Sequence, residues 1–276
     1  MKKQKESLKS FDLPSISGVE VISGINIINA FRRHIHKTFI IGLVSQGSRV
    51  INHPGGTNRV SMNEVFIINP DQVHSCGCEG LGHSYKILSV CPQTMRSIAS
   101  EISEKPIQLP YFKKIHYEDD ALSNKIIKLF EIIVASKSHI RVESELYSFL
   151  SHLIICFSEN PPPIYGIGDQ RDSIKRARDY IRHNFSENLS LKKLAETACL
   201  SPFHFQREFK RKVGITPHEY LSDRRISKSK KMLLASENIA DTAIQIGFFD
   251  QSHFSRVFRK TVGISPGKYL KINKMR

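Results

Sequence analysis

The feature that most narrows the fold of this chain is a stretch written twice. "SPFHFQREFKRKVGITPHEY", from Ser201, returns as "DQSHFSRVFRKTVGISPGKY", from Asp250, at an offset of 49 residues. His204/His253, Phe205/Phe254, Arg207/Arg256, Phe209/Phe258 and Val213/Val262 coincide, as do Gly214/Gly263, Ile215/Ile264, Pro217/Pro266 and Tyr220/Tyr269. Agreement that extends to the glycine and proline punctuation marks a duplicated supersecondary unit, and two copies are too few for a solenoid.

Each copy predicts a helix of about three turns with two unlike faces. In the first, Ser201 is placed to cap, Pro202 to occupy the first helical position and Gly214 to end the helix. Phe205, Phe209 and Val213 share a side suited to burial, whereas Phe203, Gln206, Arg207 and Lys210 recur on another at helical neighbour spacing. In the second, Asp250 caps, Phe254 and Phe258 face inward, and Ser252, Ser255, Arg256 and Arg259 face outward. Such an outer face suits a major groove, which rewards forked donors at guanine, amides at adenine and apolar groups at the thymine methyl. His204 and His253 border the buried faces and are read as structural.

A short helix with Leu191, Leu194 and Ala195, capped by Ser190, precedes the first copy, and "NIADTAIQIGFFD" supplies its counterpart before the second. Short helix, tight turn and longer helix together make a helix-turn-helix. Ser190 is also assigned to a DNA phosphate. Between the copies, "PHEYLSDRRISKSKKMLLAS" places Leu221, Arg225, Ser229 and Met232 or Leu233 at helical steps. That segment predicts a rigid spacer of roughly 25–30 Å.

Charge separates this region from the rest. Of the net +15, the residues from Asp169 onward carry +12, with 23 Lys and Arg against 11 Asp and Glu, and the remainder carries +3. A basic third on a nearly neutral body points to one domain that meets a polyanion and another with a different role. A length of 276 residues suits two domains. Five cysteines, an odd number without framework spacing, fit a reducing compartment. The basic start "MKKQKESLKSFD" is followed by no apolar segment, and no run approaches the ~18 apolar residues of a membrane span. The expectation is a cytoplasmic chain with no membrane partner.

The first ~115 residues hold short β-branched runs between turn signals, among them "FIIGLVSQG", "SRVINHPGG", "NRVSMNEVFIINP" and "HSYKILSVC", and predict an antiparallel sandwich or barrel. "MKKQKESLKS" reads as a disordered tail. Helical spacing follows in "TMRSIASEI", "DALSNKIIKLFEIIVAS" and "RVESELYSFLSHLIICF", the last with a stripe of Leu146, Phe149, Leu150, Leu153 and Phe157. Three consecutive prolines and two glycines in "SENPPPIYGIGDQ" mark a linker. The expected domains are 1–158 and 171–276, joined by a linker at 159–170.

Carried by "IADTAIQIGFFDQSHFSRVFRKTVGISPGKY", the region from Asp169 resembles the DNA-binding domain of the AraC/XylS family of bacterial transcription regulators. The resemblance implies two recognition helices in successive major grooves on one face of the duplex. It sets Phe203, Gln206 and Arg207 of the first helix, and Gln251, Ser252, Ser255 and Arg256 of the second, toward bases. "RHIHKTFIIGLVSQGSRVINHPGGTNRVSMNEVFIINPDQVHS" resembles the cupin-like effector domain common in the same family. The implied fold is α+β in two domains: an N-terminal cupin-like β-barrel with helices, then an all-α double helix-turn-helix. His34 and His36, on one face of one strand, and His74, after the Asn69-Pro70 turn, are expected to line the effector pocket. Metal-binding cupins place a glutamate soon after the paired histidines, but "KTFIIGLV" follows here, so no metal and no cofactor is assigned. "HSCGCEGLGH" gathers His74, Cys76, Cys78 and His83, but C-x-C is a weak metal signature.

The resulting reading is a non-enzymatic, sequence-specific transcription activator that binds double-stranded promoter DNA and answers to a small-molecule effector. RNA polymerase and a second copy of the chain, as a homodimer, are its further expected partners. Its rivals are a ligand-independent regulator controlled by a protein partner, and a metal-dependent cupin enzyme fused to a DNA-binding module.

Overall fold

The computed structural model describes residues 6–13, 16–80, 82–164, 170–236 and 238–274. The chain divides into two units, Met1–Val134 with Glu145–Tyr165, and Ala135–Ser144 with Gly166–Arg276. The middle of the expected linker, 165–169, lies outside the described residues.

The first unit is built from antiparallel strands: β1 (Ser7–Asp12), β2 (Val19–Ile27), β3 (Phe31–His34), β4 (Phe39–Gln46), β5 (Arg49–His53), β6 (Gly56–Val60), β7 (Val65–Ile68), β8 (His74–Cys78), β9 (His83–Val90) and β10 (His116–Tyr117). One sheet runs β1-β2-β9-β4-β7-β10 and the other β3-β8-β5-β6. Ile40, Val44, Phe66, Ile68, Tyr85 and Ile87 of the larger sheet share one buried cluster with Ile51, Val60 and Cys76 of the smaller. Among the described residues no ladder joins the sheets, so the expected closed barrel is met as a sandwich of two sheets. Closure needs every strand, including both edge strands, to find a neighbour, and here β1 and β10 end one sheet while β3 and β6 end the other.

The strand β4 is central, and its residues from Phe39 to Val44 are all buried. Its Gly42 is required, because a Cβ there would fall 2.1 Å from Cζ of Phe66. The helices α1 (Pro92–Ser103), α2 (Asp120–Ala135) and α3 (His139–Phe157) follow the strands. On α3 the predicted stripe is buried at Leu146, Phe149, Leu150 and Leu153, and Phe157 meets Tyr117 edge-on with ring centroids 5.5 Å apart.

Two local expectations are corrected. Residues 7–12 are no tail: β1 pairs with β2 in continuous register from Ser7↔Ile25 to Asp12↔Glu20. Residues 1–5 lie outside the described residues. Nor does His36 share a strand with His34, since β3 ends at His34 after a register shift against β8.

The second unit is helical: α4 (Arg171–His183), α5 (Leu191–Ala198), α6 (Pro202–Val213), α7 (Pro217–Ser236), α8 (Ile239–Gln245), α9 (Gln251–Val262) and α10 (Pro266–Lys274). At 20 residues, α7 is about 30 Å long, as the spacer reading requires. Ile174, Ala177, Ile181, Leu191, Leu194, Phe205 and Phe209 are buried around the first copy. Ile226, Leu233, Ala243, Ile246, Phe248, Phe254, Phe258 and Leu270 form the core of the second.

Candidate nucleic-acid interface and effector site

The duplication survives in atomic detail. Ser201 caps α6 by accepting from the His204 N–H at 3.3 Å, and Asp250 caps α9 by accepting from the His253 N–H at 2.7 Å. Both helices end on a left-handed glycine, Gly214 at φ 86° and Gly263 at φ 87°. Inside, Phe205 and Phe209 stand 5.4 Å apart and Phe254 and Phe258 5.5 Å apart, centroid to centroid. The duplicated tyrosines close each stack, Tyr220 at 5.6 Å from Phe209 and Tyr269 at 5.5 Å from Phe258. Each recognition helix is thus wedged by the same aromatic trio, which fixes its rotation about its axis.

That rotation decides what remains outside. On α6, Phe203, Gln206 and Arg207 are half-buried and Lys210 is exposed; on α9, Gln251, Ser252, Arg256 and Arg259 are exposed and Ser255 is half-buried. The α6 face is the more constrained, because the Arg207 guanidinium lies 5.8 Å from the Phe203 ring centroid. Its Nε is also 3.8 Å from the carboxylate of Glu208, which is buried. Ser190 caps α5 by accepting from the Lys193 N–H at 3.1 Å.

By spacing alone, Arg225 is only one step of a helix stripe. In the structure it ties the α4–α5 loop to α7, with its Nε donating to Phe185 O at 2.7 Å and its Nη2 to Glu187 O at 2.8 Å. Burial pushes its pKa down to about 10. Gly247, at φ 86°, lets the same loop approach, since a Cβ there would lie 2.4 Å from Ser186 O. The signal in the sequence was a charged residue on the helical stripe that Leu221 and Leu233 share.

In the first unit His34, His36 and His74 do come together, with ligand nitrogens all within 4.8 Å of one another. His34 pairs with His74 across β3 and β8. The Nδ1 atoms of His34 and His74 lie 2.6 Å from Arg32 O and 2.9 Å from Gln72 O. Each Nδ1–H therefore donates to a carbonyl, and the Nε2 lone pair points to the shared space. The Nε2 of His34 sits 3.1 Å from Nε2 of His36. Burial, then the neighbouring His34, His74 and Arg49, hold His36 down to about 4, and burial also lowers His74. Burial thus favours the neutral form of His36 and His74. His83 stands apart from them with its Nε2 3.1 Å from Nη1 of Arg49. Cys76 is buried in the sandwich core and Cys78 places its thiol 3.5 Å from Ile28 O, so "HSCGCEGLGH" does not converge on one site. No helix among the described residues is long and apolar enough to cross a membrane.

A sandwich with an interior polar cluster, followed by two like helix-turn-helix units with cationic outer faces, defines a DNA-binding regulator carrying its own sensing domain. Residues 17–150 match the family described as an AraC-like ligand binding domain and residues 194–272 that described as a helix-turn-helix domain. The uncharacterized HTH-type transcriptional regulator YbfI of Bacillus subtilis (strain 168) is 29% identical over 227 residues, 82% of each chain. The uncharacterized HTH-type transcriptional regulator SACOL0084 of Staphylococcus aureus (strain COL) is 26% identical over 221 residues, 76% of this chain and 28% of that longer one. The lactose operon transcription activator of Staphylococcus xylosus is 22% identical over 223 residues, 76% of each chain. The chain belongs to the AraC/XylS family of transcription regulators. It is accordingly a regulator with an N-terminal ligand-binding domain and not an enzyme, which removes the cupin-enzyme rival.

Proposed function

We propose that this protein is a cytoplasmic transcription activator that reads promoter DNA with α6 and α9 and is switched by a small molecule bound in a cupin-like N-terminal domain beside His34, His36 and His74. The observation that carries the reading is the repeated unit of cap, wedged helix and left-handed glycine, with Arg207 and Arg256 at equivalent outward positions. Phe203, Gln206, Gln251, Ser252 and Ser255 accompany the arginines at base edges, while Lys210, Arg259 and Ser190 meet phosphates or flanking bases. The reading places the sensing domain at 1–158 and the DNA-binding domain at 171–276. Activation is favoured by the role of the Staphylococcus xylosus relative, a transcription activator. RNA polymerase and a second copy of the chain are the protein partners this role calls for.

The test is binding of the full chain to its own promoter region across a salt series. Arg207→Ala and Arg256→Ala should each weaken binding by about 1–3 kcal/mol and relax base preference at different half-sites. Equal weakening on every sequence would reduce both arginines to phosphate contacts and defeat the base-reading assignment. Occupancy that is indifferent to every small molecule, and changes only with a protein partner, would instead establish the ligand-independent rival.

A further inference from the structure

We propose that the molecule sensed by the N-terminal unit is an anion, a carboxylate or a phosphate ester, whose charge is met by Arg49 inside the sandwich. The inference deepens the reading above and rests on it, because it presumes that the unit holds an effector.

Arg49 begins β5, and alternation with the fully buried Ile51 turns its side chain between the sheets. It is 6% exposed. Its guanidinium carbon lies 4.5 Å from the Tyr85 ring centroid, 5.1 Å from that of Phe66 and 5.9 Å from that of Phe31. Tyr85 and Phe66 belong to the larger sheet and Phe31 to the smaller, so rings from both sheets frame the cation.

The polar contacts of this guanidinium are few. Nη1 donates to Nε2 of His83, whose own Nδ1–H is committed to Ile27 O at 3.1 Å. That imidazole is neutral, held down to about 4 by burial and then by Arg49 itself, and it offers no countercharge. The Arg49 Nε is buried without a hydrogen-bond partner. Among the described residues no carboxylate lies within ion-pair distance of Arg49.

A buried cation without a countercharge is costly, and ring faces offset only part of that cost. An anionic ligand would supply the missing charge, and a carboxylate or phosphate matches the guanidinium fork in shape. The surroundings fit the remainder of such a ligand. Phe31, at 36% exposure, and the half-buried His34 and His36 stand on the side nearer solvent, and the Phe31 and His34 rings are 6.4 Å apart. The Nε2 lone pair of His74, whose Nδ1–H is committed to Gln72 O, can accept from a ligand hydroxyl. Three convergent imidazoles are themselves a zinc-binding set, but a divalent cation there would meet the positive charge of Arg49, and the zinc arm of the experiment separates the two occupants.

The decisive experiment is thermal unfolding of the full chain at neutral pH and constant ionic strength. The probes are benzoate against its uncharged amide benzamide, inorganic phosphate, and zinc ion alone. Wild type is compared with Arg49→Met and Arg49→Lys. Benzoate or phosphate should raise the melting temperature by about 2–4 °C at saturation, benzamide should not, and Arg49→Met should abolish the shift. Whichever of the two anions acts separates carboxylate from phosphate chemistry. Phosphate stabilisation that persists in Arg49→Met belongs to the basic second unit and counts against the proposal.

Without ligand, Arg49→Met should melt at or above the wild-type temperature, since a buried unpaired charge is removed. An Arg49→Met chain that melts lower or fails to fold marks Arg49 as a core strut and overturns the proposal. So does the absence of any Arg49-dependent anion shift, or a zinc shift without an anion shift. Arg49→Lys keeps the charge without the fork and should retain a reduced response. Anion binding that leaves promoter occupancy unchanged would spare this inference and remove the regulatory reading, whereas an occupancy response only to neutral molecules would do the reverse.

Discussion

Arg49 and Arg225 are buried to nearly the same degree, 6% and 8% exposed, yet they are employed in opposite ways. Arg225 commits its donors to two carbonyl oxygens of the α4–α5 loop, with its guanidinium 5.6 Å from the Phe248 ring centroid. Carbonyls carry enough partial charge to hold a guanidinium, and the bonds also satisfy a loop that would otherwise bury its own acceptors. Arg49 finds one imidazole and three rings, and one of its donors remains unmatched. Equal burial therefore does not mean equal function: a saturated cation is a strut, and an unsaturated one is a binding group.

The largest expected effect tests the strut. Arg225→Met should destabilise the second unit by about 3 kcal/mol, because the carbonyls of Phe185 and Glu187 lose their donor while the volume is nearly kept. Calorimetric melting of the full chain reads it, and the contrast with Arg49→Met, expected to be neutral or stabilising, is the comparison itself. Losses of the same size for both arginines would break it. Gly247→Ala comes next, at about 2 kcal/mol, since the new methyl would lie 2.4 Å from Ser186 O and 2.8 Å from Nη2 of Arg225. Gly263→Ala, at φ 87° with nothing within 4 Å of the added carbon, isolates the backbone part and should cost only about 1 kcal/mol. If both alanines cost the same, the packing of Gly247 against the Arg225 loop contributes nothing.

The two regions also differ in how legible they are from sequence. In the second unit the caps, helix lengths and left-handed glycines are local chemistry, and duplication repeated each signal, so α6 and α9 and their outward residues fell where the spacing put them. The first unit depends on pairings between distant strands. The polar run Ser7–Asp12 gave no side-chain sign of being a strand, because β1 is an edge that pairs through its backbone and exposes nearly every side chain. His36 reached the cluster although β3 ends at His34, an arrangement that strand periodicity does not announce. Arg49 stands at the same alternation phase as Ile51, which was the available signal, but a charged residue at a strand start is ordinarily read as solvent-facing. The closed barrel failed as an expectation for the same reason: which edges meet is a tertiary matter.

The smallest expected effect concerns acid. His36 and His83 are held down to about 4, and His74 is lowered as well, in each case first by burial and then in part by Arg49. In the unfolded chain these imidazoles take up protons near their ordinary value of about 6.5. Between pH values of about 6.5 and 4 the unfolded chain thus binds more protons than the folded one, and stability falls as the pH is lowered through that window. Above it the histidines are neutral in both states and contribute no slope. Removing the charge of Arg49 relieves one of the causes, so Arg49→Met should lift the three pKa values toward their ordinary range and flatten the acid slope of the first unit. Arg225 acts on none of these three histidines, but after burial it adds to the lowering of His218 and His253, so its replacement should leave the acid slope of the first unit unchanged and flatten that of the second. Denaturant midpoints measured every half unit of pH across the window would resolve the two variants. An unaltered slope in Arg49→Met would mean that burial and the neighbouring histidines set these imidazoles, and that the cation proposed to receive the ligand does not govern the charge of its own site.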